Sequence, residues 1–168
     1  MTTFSNPGLV WRPAPLPFAD RLERILEEWR GTKYMSGQQC KGTAADCIGF
    51  EFGKIDEMYG RPSPDRTVLP PDTAMHSPEK ARATMRLLRR LYAPNSPVTD
   101  RYIEPGDVIV VGPRGGGPGH IMSVGPRKNT LWHCSNQTGV VQVGLAFSNE
   151  FQQIFGIYRF DDREKWLR

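Results

Sequence analysis

The apolar pattern of the chain changes once, from a helical repeat before residue 92 to short β-branched runs after residue 107. Phe18, Leu22, Ile25, Leu26 and Trp29 recur at helical spacing, with Pro17 before them and Gly31 after. A second helix is predicted from Cys47 to Tyr59, with Asp46 in the N-cap position and Gly60 as its stop. Ser77 and Pro78 open a third, with Ala81, Met85, Leu88 and Tyr92 on its apolar face. Strands are then predicted at Asp107–Val111, His120–Val124, Thr130–Cys134, Val140–Val143 and Ile154–Phe160, separated by Gly, Pro and Asn. Helices followed by a run of strands predict an α+β class, the helices packed on one antiparallel β-sheet. Residues 1–16 carry Pro7, Pro13 and Pro15 without periodicity and read as an extended arm, leaving 17–168 as one domain. Residues 31–46 read as a polar, Gly-containing loop, and 60–77, with four prolines, as an irregular connection.

Composition narrows the classes. No apolar run approaches the ~20 residues of a membrane span. The N-terminus shows no basic segment followed by an apolar stretch, so no signal peptide is predicted and synthesis in the cytoplasm is expected. The net charge of +4 is too small to choose between nucleic acid and an anionic wall polymer. Three cysteines is an odd count, which argues against a disulfide scaffold.

Two sets of residues could carry chemistry. Cys47 opens a predicted helix after a Gly-containing loop, where unpaired N–H groups and the helix dipole favour a thiolate and could hold an oxyanion. The bland alternative is a buried cysteine anchoring a helix start. His120 and His133 fall on consecutive predicted strands and can lie side by side, while strand alternation turns Cys134 to the other face. Thiol, imidazole and a polar group orienting the imidazole make a nucleophilic set; two ordinary half-exposed histidines are the alternative. His76 reads as a solvated loop residue. Cys40 stands too far from Cys47 for a zinc knuckle, so no metal site is expected. The Gly-rich 112–119 stretch lacks a phosphate-loop ending and reads as a hairpin. Arg82, Arg86, Arg89 and Arg90 form a basic stripe, either a solvated face or a docking surface.

The segment WRGTKYMSGQQCKGTAADCIGFEFGKI resembles the signature of NlpC-type cell-wall peptidases at Gly31, Thr32, Tyr34, Asp46, Cys47, Gly49 and Phe50. EPGDVIVV resembles the family's Pro-Gly-Asp strand, GHIMSV its Gly-His strand, and LWHCSNQTGVVQV the strand bearing its second histidine. The motifs run in family order over roughly residues 29–160. The resemblance implies a papain-like fold, a catalytic triad of Cys47, His120 and His133, Tyr34 beside the thiolate, and Asp46 near the substrate's amino group or the helix end. It implies no cofactor and no metal. It further implies a cysteine endopeptidase that cuts peptidoglycan stem peptides beyond D-glutamate, with no nucleic-acid partner. One departure is Ile48, where the family has a small Ser. The long insert between Cys47 and His120 and the closing FGIYRFDDREKW are similar to peptidases of phage tails and gene-transfer-agent particles. A tail-tip or baseplate setting in a virion, with neighbouring tail-tip proteins as partners and action in the periplasm or cell wall, is the expectation. The alternatives are a weakly active or inactive structural hub or plug of a tail tip, and a related cysteine amidase or acyltransferase.

Overall fold

The computed structural model describes residues 8–60, 78–91, 101–113, 115–150 and 153–159. His76, Tyr92, Phe160 and most of the proline-rich connection lie outside the described residues.

The first helix, α1 (Leu16–Trp29), has Pro15 at its cap and Pro17 in its first turn. It buries Phe18, Leu22, Ile25, Leu26 and Trp29, the stripe read from the sequence. The second, α2 (Cys47–Tyr59), ends on Gly60 in the left-handed conformation, whose N–H donates to the Asp56 carbonyl. Every residue of α2 from Cys47 to Ile55 is buried, so this is a central helix and not a surface one. Its close approach to α1 depends on Gly53, where a Cβ would stand 2.3 Å from the Trp29 ring. Helix α3 (Pro78–Leu91) buries Thr84, Met85 and Leu88 and exposes Arg82, Arg86 and Arg89.

Ten strands are present among the described residues: β1 (Val10–Trp11), β2 (Lys33–Tyr34), β3 (Gln39–Cys40), β4 (Ala44–Ala45), β5 (Tyr102–Ile103), β6 (Val108–Gly112), β7 (His120–Val124), β8 (Thr130–Ser135), β9 (Gly139–Gly144) and β10 (Gln153–Tyr158). The main sheet has the order β10-β6-β7-β8-β9 and is antiparallel throughout. Alternation gives it two apolar faces. Val108, Val110, Ile121 and Tyr158 pack with Cys47, Ile48, Phe52 and Ile55 of α2 and with Met85 and Leu88 of α3. Trp132, Cys134 and Val140 join α1 and Phe50 on the same side. Ile109, Val111, Met122, Val124, Leu131, Ile154 and Ile157 form the opposite face. Leu9, Trp11 and Phe147 pack against that face, Phe147 from a short 3-10 helix, Leu145–Glu150.

One segment differs from the sequence reading. The 31–46 loop contains a three-stranded sheet, β2-β4-β3, whose strands have two residues each and so show no alternation to read. The described part of the arm ahead of α1, residues 8–15, is extended and joined to the body: β1 pairs in parallel with β5, Val10 N–H donates to the Arg101 carbonyl and Arg12 N–H to that of Ile103. Trp11 Nε1 also donates to the Gly125 carbonyl at 3.3 Å.

The Pro-Gly-Asp motif has a structural task. Asp107 is fully buried, accepts the Glu104 N–H at 2.8 Å, and takes both Nε (3.0 Å) and Nη2 (2.9 Å) of Arg159. That fork joins the start of β6 to the end of β10. A second buried charge pair crosses from helix to sheet. Lys54 and Glu51, one turn apart on α2, are bonded to each other, and Lys54 Nζ donates to Ser123 Oγ of β7 at 2.6 Å.

Candidate active site

Cys47 is the first residue of α2, and its position is fixed by Asp46 before it. Asp46 is fully buried; its Oδ1 accepts the Gly49 N–H at 2.7 Å and its Oδ2 the Gly37 N–H at 2.6 Å. One carboxyl group thus caps the helix and ties down the turn that crosses it. Of the two positions the resemblance implied for Asp46, the structure shows the helix end. The turn lies so close that a Cβ on Gly49 would stand 1.9 Å from the Gln38 carbonyl oxygen, which makes this glycine a steric requirement. Ile48 is wholly buried in the core beside Phe52 and Ile55. The departure from Ser therefore falls on a packing position.

Tyr34, half-buried on β2, is in register with Ala45 of β4, two residues before Cys47. The Ala45 carbonyl receives both the Met35 N–H at 2.9 Å and the Cys134 thiol at 3.2 Å. Cys134 is buried and acts there as a hydrogen-bonding anchor. Cys40 is exposed on β3.

His120 opens β7, and His133 lies on β8, its neighbour in the sheet. His120 Nε2 and His133 Nδ1 are 2.8 Å apart, and the rings meet edge to face with centroids at 5.1 Å. The structure thus brings the two histidines together, as the sequence predicts. Burial, with the His133 charge second, pulls the His120 pKa down to about 3. Burial also lowers that of His133. The lowering favours the neutral form of each ring, the form in which an imidazole can accept a proton.

Alternation assigns the histidines a face. Ile121 and Ser123 point to α2, so His120 shares the side of Met122 and Val124, and His133 that of Leu131. Cys134 takes the opposite direction, as expected. Cys47 packs in the cluster that contains Ile121, the chain neighbour of His120.

Phe147 is a residue the sequence reading missed. Its ring lies 4.8 Å from that of His133, tilted by 53°. The only signal was an aromatic residue shortly after the last glycine of β9. Among the described residues no group of three or more His, Cys, Asp or Glu is placed to hold a metal ion. Nor is any helix long and apolar enough to cross a membrane.

An α+β fold with a cysteine opening a central buried helix and a bonded histidine pair on the adjoining sheet defines a papain-like architecture. No family model and no curated protein matches the chain. Solved structures do. An NlpC/P60 family protein from Bacillus cereus ATCC 10987 superposes with a TM-score of 0.57 at 19% identity, over 88% of this chain and 41% of that one. A protein described as similar to lipoprotein, NLP/P60 family, from Staphylococcus aureus subsp. aureus Mu50 gives a TM-score of 0.53 at 14% identity, over 89% of this chain and 43% of that one. The chain therefore has the fold of NlpC/P60 proteins, and it spans less than half the length of these two.

Proposed function

We propose that the protein is a cysteine peptidase or amidase that cuts peptide bonds in the stem peptides of bacterial peptidoglycan. The observation that carries this reading is Cys47 at the capped start of a buried helix, in a fold that also pairs His120 with His133. In this reading the thiolate of Cys47 attacks the scissile carbonyl, and backbone donors at the start of α2 receive the oxyanion. His120 takes the thiol proton and delivers it to the leaving amine. With His120 Nε2 facing His133, Nδ1 is the nitrogen that serves the thiol. Nε2–H then donates to His133 Nδ1, which fixes the tautomer of both rings. Tyr34 borders the site through its pairing with Ala45.

The test is release of free amino groups from purified peptidoglycan. Cys47→Ala should leave no activity, and His120→Ala at most about one part in a thousand. Mass spectrometry of the fragments identifies the bond. Full activity in Cys47→Ala would end the reading. A complementary measurement is the distance from Cys47 Sγ to a His120 ring nitrogen with substrate analogue bound, expected within about 4 Å. A distance that stays beyond about 7 Å would leave the fold without this triad.

We further infer a phage-like tail tip as the setting. The support is the insert carrying α3 between nucleophile and base, together with the likeness of the FGIYRFDDREKW stretch to such peptidases. Immunodetection in purified particles tests it, and absence there would refute it. A structural tail-tip protein with little activity is the second reading. It is favoured by one observation, the placement of the histidine pair on the sheet face turned from α2.

A further inference from the structure

We propose that Phe147 is a positioning residue for the histidine pair: its ring fixes the plane of His133 and keeps water from the His133–His120 contact. This rests on the assignment of those histidines to catalysis and deepens it, and its geometry stands on its own.

Three rings form a chain. Phe147 lies 4.8 Å from His133, and His133 lies 5.1 Å from His120, each pair tilted or edge to face. Those are the separations at which aromatic contacts are attractive and orientation-dependent. His133 is 4% exposed although it is a polar side chain, in the middle of β8. Its strand neighbour in β9 is Val141, which offers no hydrogen bond from its side chain. Among the described residues, His120 is the titratable group that faces it, and Phe147 covers it from the 3-10 helix. Phe147 is itself packed against the apolar face of the sheet, so its ring is held from behind.

The consequence is chemical. A wet His133 would gain water as a competing partner, and the single bond that sets the His120 tautomer would be shared. A dry and oriented His133 offers its Nδ1 to His120 and to nothing else. The lowered pKa of both rings agrees with this, since burial is the leading cause in each.

The experiment is NMR titration of the histidine ring protons in the full chain. With three histidines in the sequence, a His76→Gln background leaves two signals, and His133→Gln assigns them. In Phe147→Ala the His133 midpoint should rise by about one pH unit toward the ordinary value, with His120 following. Phe147→Tyr should restore both. If the alanine variant does not fold, Phe147→Leu, which keeps apolar cover without the ring, should shift the midpoints in the same direction by less. Unmoved midpoints in a folded Ala or Leu variant would overturn the proposal. The titration is read without turnover, so an inactive wild-type protein would count against the hydrolase reading and not against this one. Where turnover is present, Phe147→Ala should lower kcat about tenfold with KM within about twofold, because the loss concerns proton transfer and not substrate binding.

Discussion

Asp46 shows how much one side chain carries at the start of α2. Its two oxygens hold the N–H groups of Gly37 and Gly49, at 2.6 and 2.7 Å, the first bond part-buried and the second buried. Asp46→Ala strands both donors, and buried donors without partners cost about 1–3 kcal/mol each. A loss of about 2–4 kcal/mol in denaturant unfolding is expected. Asp46→Asn, which keeps one acceptor, should recover part of it. Gly49→Ala, facing the Gln38 carbonyl at 1.9 Å, should be at least as damaging and should also slow alkylation of Cys47 by displacing the helix start. Thiol reactivity separates the cysteines. Cys134 is committed to the Ala45 carbonyl inside the core, whereas Cys47 stands at a helix start. Rate-resolved alkylation should label Cys47 first of the three thiols, ahead of the exposed Cys40 as well as the buried Cys134, and faster labelling at either of those would count against the triad.

At the scale of elements, the arm provides a clear prediction. Trp11 packs on the sheet face of Ile109 and Val111 and bonds to Gly125, and β1 completes a two-stranded sheet with β5. Trp11→Ala should therefore destabilise the body, by about 2–4 kcal/mol given the partial burial of the ring. An arm that served only as a tether would show no change in thermal unfolding. Much of this level was legible in the sequence. The α1 stripe, the limits of α2 from Cys47 to Gly60, and five strands of the main sheet follow from spacing and punctuation, with boundaries displaced by one or two residues. The two-residue strands were not legible, because a period of two cannot be seen in two residues. β1 and β5 pair across some ninety positions of sequence, and no local pattern reports such a contact. The site was half legible. The adjacency of His120 and His133 follows from consecutive strands, and the cap at Asp46 from its place before a helix. The ring of Phe147 over His133 depends on how a 3-10 helix folds back over the sheet, which no motif encodes.

For the molecule as a whole, the histidines set the response to acid. The pKa of His120 is about 3 in the folded chain against an ordinary 6.5 when unfolded. Above pH 6.5 neither state carries that proton, and this group contributes no pH dependence. Between 6.5 and about 3 the unfolded chain takes up a proton that the folded chain refuses, so stability falls as pH falls. The slope is about 1.4 kcal/mol per pH unit for this one group. His133, lowered in the same direction, adds to it. Chemical unfolding at pH 7 and pH 5 should show the difference, and His120→Gln should flatten the curve. Equal stability at the two pH values would mean that the pair is solvated.

The Glu51–Lys54 pair in the core has a consequence for how this sequence can change over generations. Both side chains are 1% exposed, and Lys54 also reaches Ser123. Loss of either partner leaves a charge in an apolar interior, a change that costs about 3–5 kcal/mol in comparable sites. Joint replacement by apolar residues of similar size is often neutral or better. The two positions are therefore separated from an apolar alternative by an unfit intermediate, and each is held in place by the other. Lineages that leave this state should do so at both sites together, with position 123 free to lose its hydroxyl only afterwards.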